Sequence, residues 1–169
     1  MNACASAFGN AGQKCSACSL LLVEESVYND KQFQSKLIDC ATSYKVGSVW
    51  EKGNIVGPMI TNNNEKLLRA IANLEPGESW LVAPRWVDEK HYILAPTVKW
   101  GVRPQNFSFR TELFAPMLSV APVRDLEEAV ALVNSLDYGL TSGVQTLDEK
   151  EQLYWRDHVE AGNLYINRG

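Results

Sequence analysis

Histidine is scarce in this sequence, since only His91 and His158 are present among 169 residues and both lie in polar stretches. A cysteine–histidine hydrolase needs a histidine base and a third group that orients it, and the sequence offers no identifiable third group. A tetrahedral zinc site needs four ligands at paired spacings, whereas Cys4 and Cys40 are isolated from each other and from both histidines. The sequence therefore argues against such a hydrolase and against a metal site.

Long apolar runs and strong charge of one sign are also missing. No stretch approaches the roughly 18 consecutive apolar residues of a transmembrane helix, and the N-terminus lacks the basic and then apolar pattern of a signal peptide. The formal net charge is −4 with acids and bases interspersed, which argues against nucleic acid and anionic membrane surfaces as partners. We expect a cytoplasmic chain without membrane contact that folds as one domain, because 169 residues suffice for one core.

The four cysteines are too few, and the chain too rich in core-forming residues, for a disulfide framework. We therefore expect Cys4, Cys15, Cys18 and Cys40 to be reduced. Cys15 and Cys18 form one Cys-x-x-Cys pair, a spacing found in zinc sites and in thiol redox proteins. A thiol redox module that uses this pair is thus an alternative function, and a non-catalytic fragment is another.

The order of the elements predicts alternating strands and helices, as in an α/β layered domain. The apolar run 19–23 predicts a strand buried on both faces, and the spacing of Phe33, Leu37, Cys40, Ala41 and Tyr44 predicts a helix within 27–44. Further strands are expected at 80–83, 92–98, 141–145 and 163–167, and helices are expected after Thr61 and after the capping boxes Asp125/Glu128 and Asp148/Glu151. The five tryptophans are expected in the core or, for Trp100 and Trp155, at a surface that a larger protein would bury.

Residues 8–19, Phe-Gly-Asn-Ala-Gly-Gln-Lys-Cys-Ser-Ala-Cys-Ser, surround a cysteine with small and polar residues. A structural cysteine usually packs among large apolar side chains, whereas the glycines here let the backbone approach a ligand closely. Lys14 is expected to point to solvent. Cys15 is therefore predicted to be a nucleophile, the alternative being an inert buried thiol.

This segment resembles the active-site cysteine signature of the aldehyde dehydrogenase superfamily, in which Gly-Gln-x-Cys follows an aromatic or apolar residue. Gln13 and Cys15 stand at the matching positions. Residues 6–17 resemble in particular the branch that oxidises glutamate semialdehyde, which includes half of the bifunctional bacterial proline utilisation proteins. Residues 92–98 and 162–168 resemble two further strands of the family, so that the resemblance covers nearly the whole chain.

A second motif, Thr111-Glu112-Leu113-Phe114-Ala115-Pro116, resembles the family's Glu-x-Phe-Gly-Pro cofactor motif, with Ala115 at the common glycine position. The resemblance implies that Glu112 accepts hydrogen bonds from the nicotinamide ribose of NAD and that Phe114 packs near the nicotinamide ring. Outside this context, Glu112 would be taken for an ordinary surface acid beside a core phenylalanine.

The resemblance also implies roles for the cysteine segment. Cys15 would attack an aldehyde to give a thiohemiacetal, hydride would pass to NAD, and water would hydrolyse the resulting thioester. Ser16 would anchor the carboxylate of the substrate; alternatively, its hydroxyl bonds to its own backbone.

The implied fold is a three-layer αβα catalytic domain with a mostly parallel sheet, spanning residues 1–169. The NAD-binding domain, the glutamate general base and the oxyanion asparagine of the family are not found in this sequence. We therefore expect an excised catalytic domain of an L-glutamate γ-semialdehyde dehydrogenase that is inactive alone. Its expected partners are the NAD-binding domain, a small aldehyde substrate and, at full length, further copies of itself in a homo-oligomer.

Overall fold

The fold is an alternation of short helices and strands, described by a computed structural model over residues 2–168. The helices are α1 (Asn2–Phe8), α2 (Glu25–Tyr28), α3 (Lys31–Ser43), α4 (Glu65–Ala72), α5 (Phe107–Arg110), α6 (Leu126–Asn134) and α7 (Glu149–His158). The strands are β1 (Leu20–Glu24), β2 (Ser79–Val82), β3 (Trp86–Asp88), β4 (Ile93–Leu94), β5 (Thr97–Trp100), β6 (Met117–Val123), β7 (Thr141–Val144) and β8 (Asn163–Ile166). In residues 2–168, no helix is long and apolar enough to cross a membrane.

The main sheet has the strand order β1-β6-β5-β2. Strands β1 and β5 both run parallel to the central strand β6, and β2 is antiparallel to β5. Strand β6 is almost entirely buried, as expected for a parallel strand covered on both faces. The predicted α/β fold with a mostly parallel sheet is confirmed.

Two apolar clusters lie on opposite faces of β6, because successive side chains of a strand point in opposite directions. Leu118 and Val120 belong to the larger cluster, which includes Phe8 of α1 and Leu37 of α3. Ala121 belongs to a smaller cluster with residues of α5 and α6. The sheet is therefore the middle of three layers, and the predicted helical face of α3 packs on it.

Strands β7 and β8 form a separate parallel pair, supported by a cluster of Val130, Trp155 and Val159. Both strands lie where the sequence predicts them. A groove of about 560 Å³ separates this pair from the main sheet, and residues of β1 and β7 line it. The prediction that β1 is buried on both faces is wrong for this chain, since its residues before Val23 are only half-buried beside this open groove.

The predicted strand 92–98 is in fact two strands. Ile93 and Leu94 pair with β3, whereas Thr97 begins the strand β5 of the main sheet. Pro96 stands between them, and proline has no N–H with which to continue a ladder. Strand pairing therefore changes partner at this point.

The predicted cap of α4 is also wrong. Thr61 accepts a hydrogen bond from the Asn63 N–H at 3.0 Å, and α4 begins only after Asn64, whose Oδ1 accepts from the Leu67 N–H at 3.1 Å. Asparagine is as good an N-cap as threonine or better, and the local turn at Thr61 delays the helix by one further turn.

Helices α6 and α7 begin where their predicted N-caps place them, but neither has the reciprocal half of a capping box. Asp125 accepts from the Glu128 N–H at 2.8 Å, whereas the Glu128 carboxylate accepts from the Arg124 N–H at 2.8 Å. Glu151 accepts a hydrogen bond from the Thr146 hydroxyl. In both helices the glutamate carboxylate accepts from a donor in the preceding turn and not from the N–H of the N-cap residue.

The burial of the tryptophans differs from the expectation. Trp100 stacks on Tyr28 with ring centroids 4.2 Å apart, and it is buried within this chain, as is Trp155. Neither side chain needs a larger protein to cover it. Trp50 is instead the exposed one, with 92% of its surface accessible.

Candidate active site

The cysteine segment follows the buried end of α1 through a tight turn. The turn Gly9–Gly12 has left-handed backbone at Asn10, Ala11 and Gly12. Its last hydrogen bond runs from the Gln13 N–H to the Asn10 carbonyl at 3.0 Å. Cys15 lies just beyond this turn and is exposed. This exposure contradicts the alternative of an inert buried thiol, and the role of Cys15 as a nucleophile stays a prediction.

Gly12 is the point where the cysteine segment touches the segment 112–115. Its φ is +67°, and a Cβ at this position would overlap the Ala115 carbonyl and lie 2.9 Å from the Ala7 carbonyl oxygen. Glycine is thus required both by the backbone conformation and by the close approach. Ala115, which stands where the family motif commonly has glycine, is not among the left-handed residues, so alanine is tolerated there.

Replacement of Gly12 by alanine is expected to destabilise the chain by about 2–5 kcal/mol, from left-handed strain plus overlap with packed backbone. The free energy of unfolding, measured by urea titration of both variants, checks this. Gly9→Ala is the matched control, because a Cβ there would meet no atom within 4 Å. Equal effects of the two substitutions would contradict the assignment of Gly12 as a contact point.

Gln13 joins three segments through its side-chain amide. Its Nε2 donates to the Phe114 carbonyl at 3.2 Å, and its Oε1 accepts from the Ile60 N–H at 3.0 Å. The family signature places Gln13 near the cysteine, but these partners lie 101 and 47 residues away in sequence. No sequence pattern near Gln13 indicates them.

Glu112 and Phe114 are both exposed, while Leu113 and Ala115 between and after them are buried. Within the described residues, the Glu112 carboxylate has no hydrogen-bond or ion-pair partner in the chain, so its acceptors are available to a ligand. Phe114 has φ +54°, an uncommon conformation for a bulky residue.

A small cleft brings the two motifs together. Gly12, Lys14 and Cys18 line it on one side, and Glu112 and Phe114 line it on the other. Lys14 is exposed, as expected. The structure thus places the segment around Cys15 against the predicted cofactor segment, although Cys15 itself does not line this cleft.

Ser16 is half-buried and lies on the wall of the groove between β1 and β7. Its carbonyl accepts from the Ser6 hydroxyl at 3.4 Å. Its own hydroxyl has no hydrogen bond to any residue within 2–168, so the alternative in which Ser16 bonds its own backbone is not seen. The hydroxyl is therefore available to a ligand.

Tyr138 is a neighbour of this site that the sequence analysis did not identify. Its hydroxyl donates to the Phe109 carbonyl at 3.3 Å. Burial raises the pKa of this hydroxyl. Tyr138 lines the same groove as Ser16 and Ser19. Asn64 was missed as well, and for Gln13 the sequence analysis identified the residue but not its partners Phe114 and Ile60.

All four cysteines are free thiols, and Cys18 differs sharply from Cys15. Burial raises the pKa of the Cys18 thiol to about 11, and this thiol donates to the Leu20 carbonyl at 3.4 Å. A buried thiol of this kind is a poor nucleophile, because the thiolate is the reactive form.

Alkylation with iodoacetamide is expected to label Cys15 at least about tenfold faster than Cys18 at pH 8, since only about one Cys18 thiol in a thousand is then ionised. Labelling of Cys18 should rise with pH toward its pKa of about 11. Mass spectrometry of the native chain locates the label. Mutual protection of Cys15 and Cys18 as a disulfide would instead favour the redox alternative.

In the part of the chain that the structure describes, no three His, Cys, Asp or Glu side chains are grouped to hold a metal ion. The predicted site residues are divided between two concavities, because Ser16 lines the larger groove, Glu112 and Phe114 line the small cleft, and Cys15 lines neither.

A family model described as "Aldehyde dehydrogenase family" matches residues 1–169. The chain belongs to the aldehyde dehydrogenase family. It is 33% identical over 166 residues to 1-pyrroline-5-carboxylate dehydrogenase of Geobacillus kaustophilus, covering 98% of this chain and 32% of that protein. It is also 33% identical over 174 residues to malonate-semialdehyde dehydrogenase of Listeria innocua, covering 99% of this chain and 35% of that relative.

Two solved structures are similar to the chain over almost its whole length. Proline utilization A from Corynebacterium freiburgense has a TM-score of 0.92 and 39% identity, over 99% of this chain and 17% of that one. The 1-pyrroline-5-carboxylate dehydrogenase from Thermus with bound NAD has a TM-score of 0.87 and 30% identity, over 99% of this chain and 32% of that one. The chain spans about a third of the length of the curated relatives named above.

Proposed function

We propose that this chain is the catalytic domain of an NAD-dependent aldehyde dehydrogenase that oxidises L-glutamate γ-semialdehyde to glutamate in proline catabolism. The observation that carries the proposal is the junction of the two motifs. Gly12 packs against Ala115, and Gln13 binds the Phe114 carbonyl, so that the exposed Cys15 loop and the exposed Glu112–Phe114 segment lie against each other.

Cys15 is the proposed nucleophile. Its thiolate forms a bond from Sγ to the aldehyde carbon, and the carbonyl electron pair moves to the oxygen, which the Cys15 N–H can stabilise as a donor. Loss of hydride from this thiohemiacetal leaves a thioester on Cys15. Water then breaks the carbon–sulfur bond, which releases the carboxylic acid and restores the thiol.

The Glu112 side chain fits the role of a cofactor contact, because it is exposed and lacks an intrachain partner in the described residues. Ribose hydroxyls are donors, and a carboxylate is their natural acceptor. Phe114, exposed two residues later, offers an apolar ring to a planar group. NAD would supply the hydride acceptor of the reaction.

The choice of substrate is supported by Ser16 and by the relatives. Ser16 presents an unbonded hydroxyl beside Cys15 in the described chain, and a hydroxyl can donate to a substrate carboxylate. The 1-pyrroline-5-carboxylate and malonate-semialdehyde dehydrogenases are both 33% identical to the chain, and a proline utilization protein of known structure is 39% identical. Both aldehydes carry a carboxylate, so their direct comparison is the informative assay.

The proposed partner of this domain is an NAD-binding domain elsewhere in a longer, cytoplasmic, homo-oligomeric protein. In support, the chain matches only about a third of its curated relatives. The groove of about 560 Å³ beside β1 leaves apolar residues half-buried that further chain would cover. The general base that activates water would also lie outside this chain.

The isolated 169-residue chain is accordingly expected to produce no NADH from either semialdehyde, because it lacks the base and most of the cofactor site. Absorbance at the NADH band, followed with excess NAD and aldehyde, checks this. NADH production that Cys15→Ala abolishes would show that the chain is complete for catalysis.

The full-length protein tests the function itself. We expect it to form NADH faster with L-glutamate γ-semialdehyde than with malonate semialdehyde, and rapid quenching to trap an acyl group on Cys15 that peptide mass spectrometry locates. A preference for malonate semialdehyde would overturn the substrate but retain the mechanism. An acyl group on another residue would overturn the nucleophile.

A further inference from the structure

Two side-chain amides hold consecutive carbonyl groups of the segment 112–115. Asn64 Nδ2 donates to the Leu113 carbonyl at 2.8 Å, and Gln13 Nε2 donates to the Phe114 carbonyl at 3.2 Å. The two amides come from different parts of the chain, the N-cap of α4 and the segment before Cys15. They meet only at this segment.

Each amide also uses its oxygen on a second element. Asn64 Oδ1 accepts from the Leu67 N–H at 3.1 Å, and Gln13 Oε1 accepts from the Ile60 N–H at 3.0 Å. An amide can donate to one segment through its NH2 group while its oxygen accepts from another, whereas an ionised carboxylate has no donor. Asparagine and glutamine therefore suit these two positions.

The held segment is strained. Phe114 has φ +54°, which is unfavourable for a residue with a large side chain, and such a conformation persists only where the surroundings enforce it. The conformation turns Leu113 and Ala115 inward and leaves Glu112 and Phe114 exposed. Loss of a restraint would let these two side chains leave the cleft.

We propose that Gln13 and Asn64 are positioning residues that determine the affinity for NAD by holding this segment. The inference rests on the proposed function, because it takes Glu112 and Phe114 as the cofactor contacts. Gln13 and Asn64 act through the two carbonyls. Their role is thus to preorganise the site, which reduces the cost of ordering it on binding.

Asn64→Asp and Gln13→Glu in the full-length protein replace the amide donor with a carboxylate oxygen and also add a negative charge. Each variant keeps an oxygen for the Leu67 or Ile60 N–H, so the cap and the second contact survive. Asn64→Ser is an uncharged variant that also keeps a side-chain oxygen able to accept from the Leu67 N–H. We expect the Kd and the KM for NAD to rise about tenfold, the factor that corresponds to one net hydrogen bond, while kcat and the KM for the aldehyde change less than about twofold.

Asp30→Ala is the matched control for helix stability. Asp30 caps α3 by accepting from the Gln32 N–H at 2.8 Å, and it has no contact with segment 112–115. Its loss costs a helix cap but should leave the Kd for NAD unchanged. An equal rise of that Kd in Asp30→Ala would show that general destabilisation explains the effect and would overturn the proposal.

Amide hydrogen exchange gives a readout without turnover. Amides in residues 112–117 should exchange about tenfold faster in the Asn64 and Gln13 variants, for the same reason, and at the normal rate in Asp30→Ala. Unchanged exchange overturns the restraint, and faster exchange with unchanged Kd overturns its link to NAD. If the unaltered protein binds NAD but oxidises neither semialdehyde, the proposed reaction fails while this inference stands; if it binds no NAD, both fail.

Discussion

Replacement of Cys15 by alanine in the full-length protein should lower the rate of NADH formation by at least about 1,000-fold, because covalent catalysis has no substitute once its nucleophile is removed. Binding of NAD should be preserved, since the proposed contacts are Glu112 and Phe114. The measurement is steady-state NADH formation together with a fluorescence titration of NAD. An unchanged affinity for NAD would show that the Cys15→Ala variant is folded and has lost only the chemical step.

Cys18→Ala is the matched control for this result. Cys18 lies three residues after Cys15, but burial raises its pKa to about 11, and its thiol is not required in the proposed mechanism. We expect most of the activity to remain in this variant. Equal loss in Cys15→Ala and Cys18→Ala would point to the thiol redox alternative, in which the two sulfurs act as a pair.

Replacement of Lys99 by methionine is expected to destabilise the chain by about 3–5 kcal/mol, which is the usual effect of removing one partner of a buried ion pair. Lys99 on β5 lies 3.0 Å from Glu78, and their side chains are 1% and 0% exposed. Its Nζ also donates to the Ala70 carbonyl at 2.8 Å and to the Ser108 hydroxyl at 3.0 Å. The variant leaves Glu78 buried without its counter-charge.

Glu78 is sensitive to the loss of its counter-charge, because its Oε1 is already buried without a hydrogen-bond partner in the described residues. Urea unfolding of the chain measures the effect. The double variant Lys99→Met/Glu78→Leu should recover much of the lost stability, since replacing both charges with apolar groups is often neutral. Failure of the double variant to recover any stability would show that the contacts of Lys99 with Ala70 and Ser108 dominate.

Arg124→Met provides the surface comparison. Arg124 and Glu128 form an ion pair at 3.0 Å on the outside of α6, where water competes with the pair. The urea midpoint for unfolding of the Arg124→Met variant should not differ measurably from that of the unaltered chain. A shift as large as that of Lys99→Met would contradict the argument that burial, rather than pairing, makes Lys99 critical.

Local sequence patterns predicted the elements well wherever the determining forces are local. The spacing of Leu37, Cys40 and Ala41 identified α3, because a helix of 3.6 residues per turn places these side chains on one face. Asp125 marked the start of α6 for a similar reason. The cap of α4 was misplaced from Asn64 to Thr61, because both residue types accept such bonds and the preceding turn decided between them.

Strand pairing was less accessible to prediction. The sequence indicates a strand at 92–98, yet its two halves belong to different sheets. The apolar run of β1 predicts complete burial, which this chain alone does not supply. Pairing depends on which distant segments are available, and a local pattern carries no information on that.

The sequence by itself determined which side chains are candidates for the proposed chemistry: a thiol among small residues at Cys15 and, through the family resemblance, a carboxylate and a ring at Glu112 and Phe114. Residue type, near neighbours and the match to a motif suffice for that, because reactivity belongs to the side chain. Only the tertiary structure decided that these motifs meet, through Gly12 against Ala115 and through the amides of Gln13 and Asn64. Close approach and hydrogen bonding between distant segments arise when the sheet forms, and for that reason the chain order alone does not reveal them.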